Sequence, residues 1–382
     1  MSALLDKIID SEEYFYNLKT KKIVCWGAGS KGRQTLELLR EKGIEPIAFC
    51  DNNKDLQGKS MKGIPILNYD TIKNECSDYC ICITCTYSNA MGIYNELKNS
   101  GGVLSDIYFI SNPFKAEDKF LSTTEIREKI EEYEESYDAL EDERSKELFL
   151  SFLNWKITGD MRYTAENTEG NWLEFFDENI IPDRKDYCFI DVGGYTGDTI
   201  CRFLAFVKGN YDRIIVFEPD DNNFAALKSL TENGRLERIE FYKSGLWSEE
   251  CEKIFYTGES GIYESSNFFR GVSVTLSNKL LNDMSGREQK IKVSTLDKMI
   301  QYDKISSRIL LKIDALASEG PILLGAKKLI KETKPTIIME YGTHSEYIGN
   351  VIPFLRSING EYKFYLRQRN TFGNSRTILY AV

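Results

Sequence analysis

Apolar positions along the chain fall into three stretches with different periods. Short β-branched or aromatic runs at residues 22–26, 46–50 and 79–84 are separated by segments of helical period. The same alternation returns later, with runs at 188–192, 213–217, 239–242, 309–313 and 336–340, and two more, at 362–367 and 376–382, close the chain. Strand-like runs alternating with helical ones predict parallel α/β sheets. Residues 253–292 lack a helical period and are rich in Gly, Ser and Asn, which predicts strands and loop inserted into the order of the second sheet. Between the two α/β stretches, Ile126, Ile130, Tyr133, Tyr137 and Leu140 recur at spacings of 4, 3, 4 and 3. That spacing predicts a helix with one apolar face, and Arg144 ends it after about two heptads. A connector helix packed along one domain is the expectation, with a dimerising coil, and hence a homodimer, as the alternative. The division expected is a first α/β domain over 1–115, a connector over 116–185 and a second α/β domain over 186–382.

Charge is unevenly placed. The 382 residues carry a net −10, and residues 117–147 alone hold 13 acidic and 5 basic side chains, a net of −8. The helix of the connector therefore has a solvated acidic face, and the two α/β stretches are nearly neutral. An acidic chain of this kind is a poor partner for a nucleic-acid backbone. No apolar run approaches the roughly 20 residues that cross a bilayer, and the first residues lack the basic and apolar regions of a signal peptide. Nine cysteines in that context predict reduced thiols and a cytoplasmic protein.

Both α/β stretches open on a strand that runs into a glycine-rich turn. In the second, CFIDVGGYTGDTICRF places Asp191 at the strand end, Gly193, Gly194 and Gly197 in the turn, and Ile200 and Phe203 on the following helix. Glycines there let the backbone turn sharply and approach a ligand without a Cβ between them. The next strand ends at Glu218, 27 residues after Asp191, where a carboxylate can accept the hydroxyls of an adenosine ribose. A purely structural turn is the plain alternative.

The run DVGGYTGDT, then FEPD, VSTLDKMI, ILLKID, LLGAKKLI, KPTIIMEYGTH and a terminal RTILYAV resembles the FkbM family of S-adenosylmethionine-dependent methyltransferases, over residues 143–382. The resemblance implies a class I methyltransferase fold, a mostly parallel seven-stranded sheet whose last strand is antiparallel. It implies S-adenosylmethionine as cofactor and O-methylation of a sugar or natural-product hydroxyl. It places Asp191, Gly193, Gly194 and Gly197 around the amino-acid part of the cofactor, Glu218 at the ribose, Ser244 on the adenine side and Asp314 beneath the methyl-transfer site. One departure is visible: where the family commonly continues that Asp with a further residue and then Glu-Gly, this chain reads Asp314, Ala315, Leu316, Ala317. A hydroxyl needs a base, and His344, the only histidine, follows the strand TIIMEYG. Asp314 is its rival, with Glu340 and Glu319 behind. A catalytically degenerate nucleotide-sugar-binding or assembly protein is the second reading.

In the first stretch GAGSKG places Gly27, Gly29 and Gly32 in a GxGxxG pattern, and the next strand leads to Asp51, 19 residues after Gly32. These are the parts of a dinucleotide fingerprint, which keeps an NAD-dependent oxidoreductase as a third reading. GAGSKG, FCDNN and GKSMKGIPIL also resemble the small Rossmann-like domain at the front of sugar-modifying acyltransferases, which implies nucleotide-sugar binding. A sugar-nucleotide or other small-molecule acceptor follows from the two resemblances together. Cys76, Cys80, Cys82 and Cys85 lie close together, but alternation along a strand puts Cys80 and Cys82 on one face and Cys85 on the other. They are expected to be buried apolar residues rather than metal ligands, and no spacing elsewhere predicts a metal site.

Overall fold

The computed structural model describes residues 3–85, 87–99, 107–110, 120–165, 167–170, 173–181, 185–232, 236–258, 272–274, 286–305, 307–315, 318–342, 347–371 and 374–382. The first α/β stretch forms a six-stranded sheet of β1 (Lys22–Trp26), β2 (Ala48–Cys50), β3 (Ser60–Met61), β4 (Ile64–Leu67), β5 (Tyr79–Ile83) and β6 (Ile107–Tyr108). The strand order is β3-β4-β2-β1-β5-β6. The order reverses between β1 and β5, which is where the loop after β1 lies, and a ligand crevice of an open α/β sheet forms at such a point. The β3–β4 hairpin was not visible in the apolar periodicity. It is made by Lys62 and Gly63, both at positive φ (49° and 89°), in the turn chemistry that matches strand twist.

The connector begins as expected and then breaks. Instead of one helix there are α5 (Thr123–Glu128) and α6 (Ile130–Asp138), interrupted where Lys129 leaves helical geometry, followed by α7 (Glu143–Thr158). The side chain of Asp142 accepts the N–H of Ser145 and so starts α7 after Leu140. Ile126, Tyr133 and Leu140 are buried against the second domain, together with Leu148, Phe149, Phe152 and Leu153 of α7. Glu128, Glu131, Glu135 and Asp138 remain exposed. The apolar stripe therefore packs along the second domain, in two helices where one connector helix was expected. Its far end also meets the first domain, because Met161 donates its N–H to Phe109 O at 3.1 Å.

The second domain is a seven-stranded sheet of β7 (Tyr187–Val192), β8 (Tyr211–Phe217), β9 (Ile239–Tyr242), β14 (Arg308–Ile313), β15 (Thr336–Glu340), β16 (Phe364–Thr371) and β17 (Asn374–Ala381). The order is β16-β17-β15-β14-β7-β8-β9. β17 runs antiparallel between β15 and β16, and β7, β8, β9, β14 and β15 are parallel. The fold is thus the class I methyltransferase arrangement. The described part of residues 253–292 does not enter that sheet. β11 (Cys251–Gly258) and β13 (Gly286–Ser294) pair antiparallel along their length, and with β10 (Gly245–Leu246) and β12 (Val272–Val274) they make a separate four-stranded sheet. Eight register pairs between β11 and β13 satisfy the facing backbone groups of these strands apart from the larger sheet.

Candidate active site

Side chains of alternate residues on a strand share a face, and one face of the large sheet carries a polar row at the carboxyl ends of its strands. Glu218 follows β8, the Gly193 turn follows β7, Asp314 follows β14, Glu340 ends β15 and Arg376 lies on β17. The strand order reverses between β7 and β14. Gly193 and Asp314 therefore meet at the switch point, and Asp314 donates its N–H to Val192 O at 3.1 Å.

The glycine turn is braced from three sides. Gly193 and Gly194 both donate to Phe217 O, and Tyr195 donates to Glu218 Oε2 at 2.9 Å. Gly193 and Gly197 sit at φ +82° and +91°, and a Cβ on Gly194 would stand 2.3 Å from Val216 Cγ1. These positions accept glycine alone without rearrangement. Gly197 starts α9 (Asp198–Phe206), whose Ile200, Phe203 and Phe206 pack on the sheet. Glu218 is 6% exposed; its Oε1 accepts the N–H of Asp220 at 2.9 Å. Burial pushes its carboxyl up to about 7, against the pull of the two backbone N–H groups. Ser244 lies just past β9, on the same edge, and donates its hydroxyl to Gly245 O.

Asp191 stands apart from the other residues assigned to the cofactor. It is 0% exposed, inside the sheet, and its Oδ1 accepts Lys312 Nζ at 2.9 Å. Burial pushes it up to about 6, with the Lys312 charge opposing. The resemblance implies a place around the amino-acid part of the cofactor; in the structure the carboxylate is fully buried beside Lys312.

Beside the end of β14, Asp314, Glu319 and Glu340 bring carboxylate oxygens within 4.8 Å of one another, the grouping among the described residues whose geometry could take a cation. Glu319 and Glu340 are 3% and 6% exposed. Arg376 donates to Asp314 Oδ2 at 2.7 Å and stands 3.6 Å from Glu174. Glu319 Oε1 accepts the N–H of Ala315. Like charges packed this closely need the guanidinium among them. His344, Leu316 and Ala317 lie outside the described residues. Tyr341 and Gly342, the described residues that precede His344 in the sequence, directly follow Glu340.

Lys312, Arg376 and Glu174 were not singled out from the sequence. Lys312 had a signal, a cation inside the apolar run of RILLKI, whose other cation, Arg308, stands at the exposed start of the strand. Arg376 and Glu174 had none, because their meeting depends on β17 and on the loop before β7.

The first glycine turn is also assembled. Gly27 lies at φ +115°, and a Cβ on Gly32 would fall 1.9 Å from Gly27 O. Gly29 precedes α2 (Ser30–Glu41). Asp51 closes on the same loop, its Oδ2 accepting the N–H of Ala28 at 2.7 Å and its Oδ1 that of Asn53 at 2.8 Å. The expected quartet of Gly27, Gly29, Gly32 and Asp51 is thus gathered in one place, with the acid bonded to the loop itself. Cys80 and Cys82 are buried on one face of β5 with Cys25, and Cys76 and Cys85 pack on the other.

Residues 19–102 match the model of the C2185-like N-terminal domain, and residues 191–364 match that of the methyltransferase FkbM domain. Among solved structures, the methyltransferase FkbM from Methylobacillus flagellatus KT aligns over 100% of this chain and 95% of its own. The identity is 18% and the TM-score 0.68, which speaks to the fold. Segments also align with UDP-D-quinovosamine 4-dehydrogenase from Vibrio fischeri (27% identity, 24% of this chain and 80% of that one, TM-score 0.20). An rRNA methylase from Streptococcus thermophilus aligns at 11% identity over 55% of this chain and 90% of that one, with a TM-score of 0.30. Superpositions that loose carry no argument. No curated protein matches the sequence, and no helix among the described residues is long and apolar enough to cross a membrane. With its glycine turn, its strand order and residues 191–364 in agreement, the chain is a methyltransferase that carries an FkbM domain behind a C2185-like N-terminal domain.

Proposed function

We propose that the protein transfers a methyl group from S-adenosylmethionine to a hydroxyl of a sugar, glycan precursor or natural product. The observation that carries this reading is the convergence of the Gly193 turn, Glu218 and the carboxylates around Asp314 at the point where the strand order reverses. The residues present suit an adenosyl cofactor. Each oxygen of Glu218 accepts one backbone N–H and retains a lone pair for a hydroxyl donor. The glycine turn offers backbone where side chains would stand in the way.

The cofactor supplies a methyl group already activated on a sulfonium. What this chain contributes is alignment and proton handling. Glu218 anchors the ribose end, and the turn over Gly193, Gly194 and Gly197 fixes the amino-acid end. A hydroxyl is a weak nucleophile, and the carboxylates of Asp314, Glu319 and Glu340 stand ready to take its proton. Arg376 orients Asp314 for that task; His344, four residues after Glu340 in the sequence, is the other candidate base.

For the first domain the reading is a nucleotide or nucleotide-sugar site at Gly27, Gly29, Gly32 and Asp51. A cleft of about 330 Å³ beside that turn is lined by Ala28, Leu56 and Ile66 with Arg33, Lys59 and Lys62. Apolar walls with cationic groups suit a base and its phosphates.

Calorimetric titration with S-adenosylhomocysteine, on the intact protein and on Glu218→Ala, tests the main reading. Losing a charge-assisted ribose contact costs about 1.5–3 kcal/mol, roughly 10- to 150-fold in affinity. Absence of binding by the intact protein at millimolar ligand would overturn the reading.

A further inference from the structure

Lys312 occupies an unusual place. It is 1% exposed, in the middle of the seven-stranded sheet, with Leu310, Leu311 and Ile313 as neighbours on β14. Its register partner on β7 is Asp191. The ammonium makes three contacts: Asp191 Oδ1 at 2.9 Å, Gly193 O at 2.8 Å and Val192 O at 3.4 Å. The ring of Phe175 lies 5.4 Å away.

A charge in that position is expensive to bury, and an apolar side chain of similar size would pack as well or better. The contacts show what the charge accomplishes. Gly193 donates its N–H to Phe217 O and presents its carbonyl to Lys312. Both of its backbone polar groups are thus satisfied inside the protein. Val192 O is shared by Lys312 and the N–H of Asp314. One ammonium therefore sets the direction of the turn and ties it to the strand that ends in Asp314. Asp191 has no exposure, its Oδ1 meets this cation, and its Oδ2 accepts no hydrogen bond among the described residues.

We propose that Lys312 is a positioning residue of the methyltransferase site, holding the carbonyls of Val192 and Gly193 so that the glycine turn is preset for the cofactor. Asp191 acts through Lys312, keeping the ammonium aimed, and does not touch the cofactor. This rests on the reading that the turn binds an S-adenosyl ligand.

The test compares the intact protein with Lys312→Met, Asp191→Asn and the double variant, each titrated with S-adenosylhomocysteine and each melted. Lys312→Met is expected to weaken binding at least tenfold and to lower the melting temperature, because it strands a buried carboxylate. In the double variant the stranded charge is gone and the melting temperature should return toward that of the intact protein, with affinity still at the Lys312→Met level. Asp191→Asn alone should weaken binding less than Lys312→Met does. Recovery of affinity together with stability in the double variant would overturn the proposal, since Lys312 would then serve charge balance only. A further loss of affinity on adding Asp191→Asn to Lys312→Met would also overturn it, since Asp191 would then contact the ligand. Should Lys312→Met not fold, the charge-neutral double variant decides alone. Absence of binding by the intact protein would instead strike the cofactor reading beneath it.

Discussion

Gly193 lies directly against the carbonyl of Asp314: a Cβ on the glycine would stand 2.0 Å from that oxygen. The residue at the head of the cofactor loop and the residue at the acceptor end of the neighbouring strand are therefore in backbone contact. Gly193→Ala must open that contact and also place a side chain at φ +82°. The left-handed conformation alone costs about 1–2 kcal/mol, and separation of the β7 and β14 ends adds to it. The variant should show a lower urea midpoint and a loss of S-adenosylhomocysteine binding larger than its loss of stability accounts for. Unchanged affinity would mean that the turn does not shape the site.

Glu218 gives a pH dependence with opposite signs for binding and for folding. Its carboxyl titrates at about 7 in the ligand-free protein because it is buried. A ribose hydroxyl donates to the charged form, so affinity for S-adenosylhomocysteine should fall as pH drops through about 7. Folding behaves the other way. A group whose folded value lies above its unfolded one, near 4.5, adds stability below that lower value and loses it as pH rises toward 7. Glu218→Gln removes the buried charge. The gain from losing that charge, up to about 3 kcal/mol, is set against about 1–3 kcal/mol for the backbone N–H that the amide cannot satisfy. The variant's stability relative to the intact protein should therefore rise between pH 5 and pH 8, and it should bind the ligand at least tenfold more weakly. A stability difference that does not change over that range would show that the charge is better solvated than its burial indicates.

Much of this site was legible because it is local. Asp191, the glycines and Glu218 are each fixed by a strand end, and strand ends follow from apolar runs. The meeting of these residues with Asp314 needed only the order of parallel strands. What escaped was the cross-sheet chemistry. Arg376 reaches Asp314 because β17 enters antiparallel between β15 and β16, and Glu174 reaches Arg376 from a loop with no period of its own. Asp191 was read correctly as a strand-end acid, but its direction depends on Lys312, a residue of another strand. The apolar spacing from Ile126 to Leu140 announced a buried face and gave no sign of the break at Lys129, which is a matter of backbone geometry.

Arg376 is the cation among Asp314, Glu319, Glu340 and Glu174 that the geometry places closest to their shared space. Arg376→Met removes the guanidinium from among those carboxylates, while Glu174 keeps its contact with Arg202, and should destabilise the protein by about 3–5 kcal/mol. Crowded carboxylates then hold protons more tightly in the folded state than in the unfolded one, so the deficit should shrink as pH falls from 8 to 5. Thermal unfolding of both proteins across that range checks the sign. A deficit independent of pH would assign Arg376 a packing role instead of an electrostatic one. Methyl transfer should fall with little change in S-adenosylhomocysteine affinity, because Arg376 lies on the acceptor side.

The two glycine turns belong to sheets with separate cores, one built on Phe15, Leu36 and Phe49 and the other on Phe189, Phe203 and Val216. Damage to the first turn should therefore remain local. Gly32→Ala is the sharpest such change, because its Cβ would fall 1.9 Å from Gly27 O, inside the turn itself. If the cleft beside Arg33 and Lys59 takes a nucleotide or nucleotide sugar, the variant should lose that ligand, and a titration with uridine diphosphate sugars on both proteins would show it. Affinity for S-adenosylhomocysteine should stay within about twofold, since sites more than about 10 Å apart without shared partners act independently. A parallel fall in S-adenosylhomocysteine affinity would carry the opposite meaning. It would show that the contact between Phe109 and Met161, where the first domain meets the end of α7, transmits the state of the first turn to the methyltransferase domain.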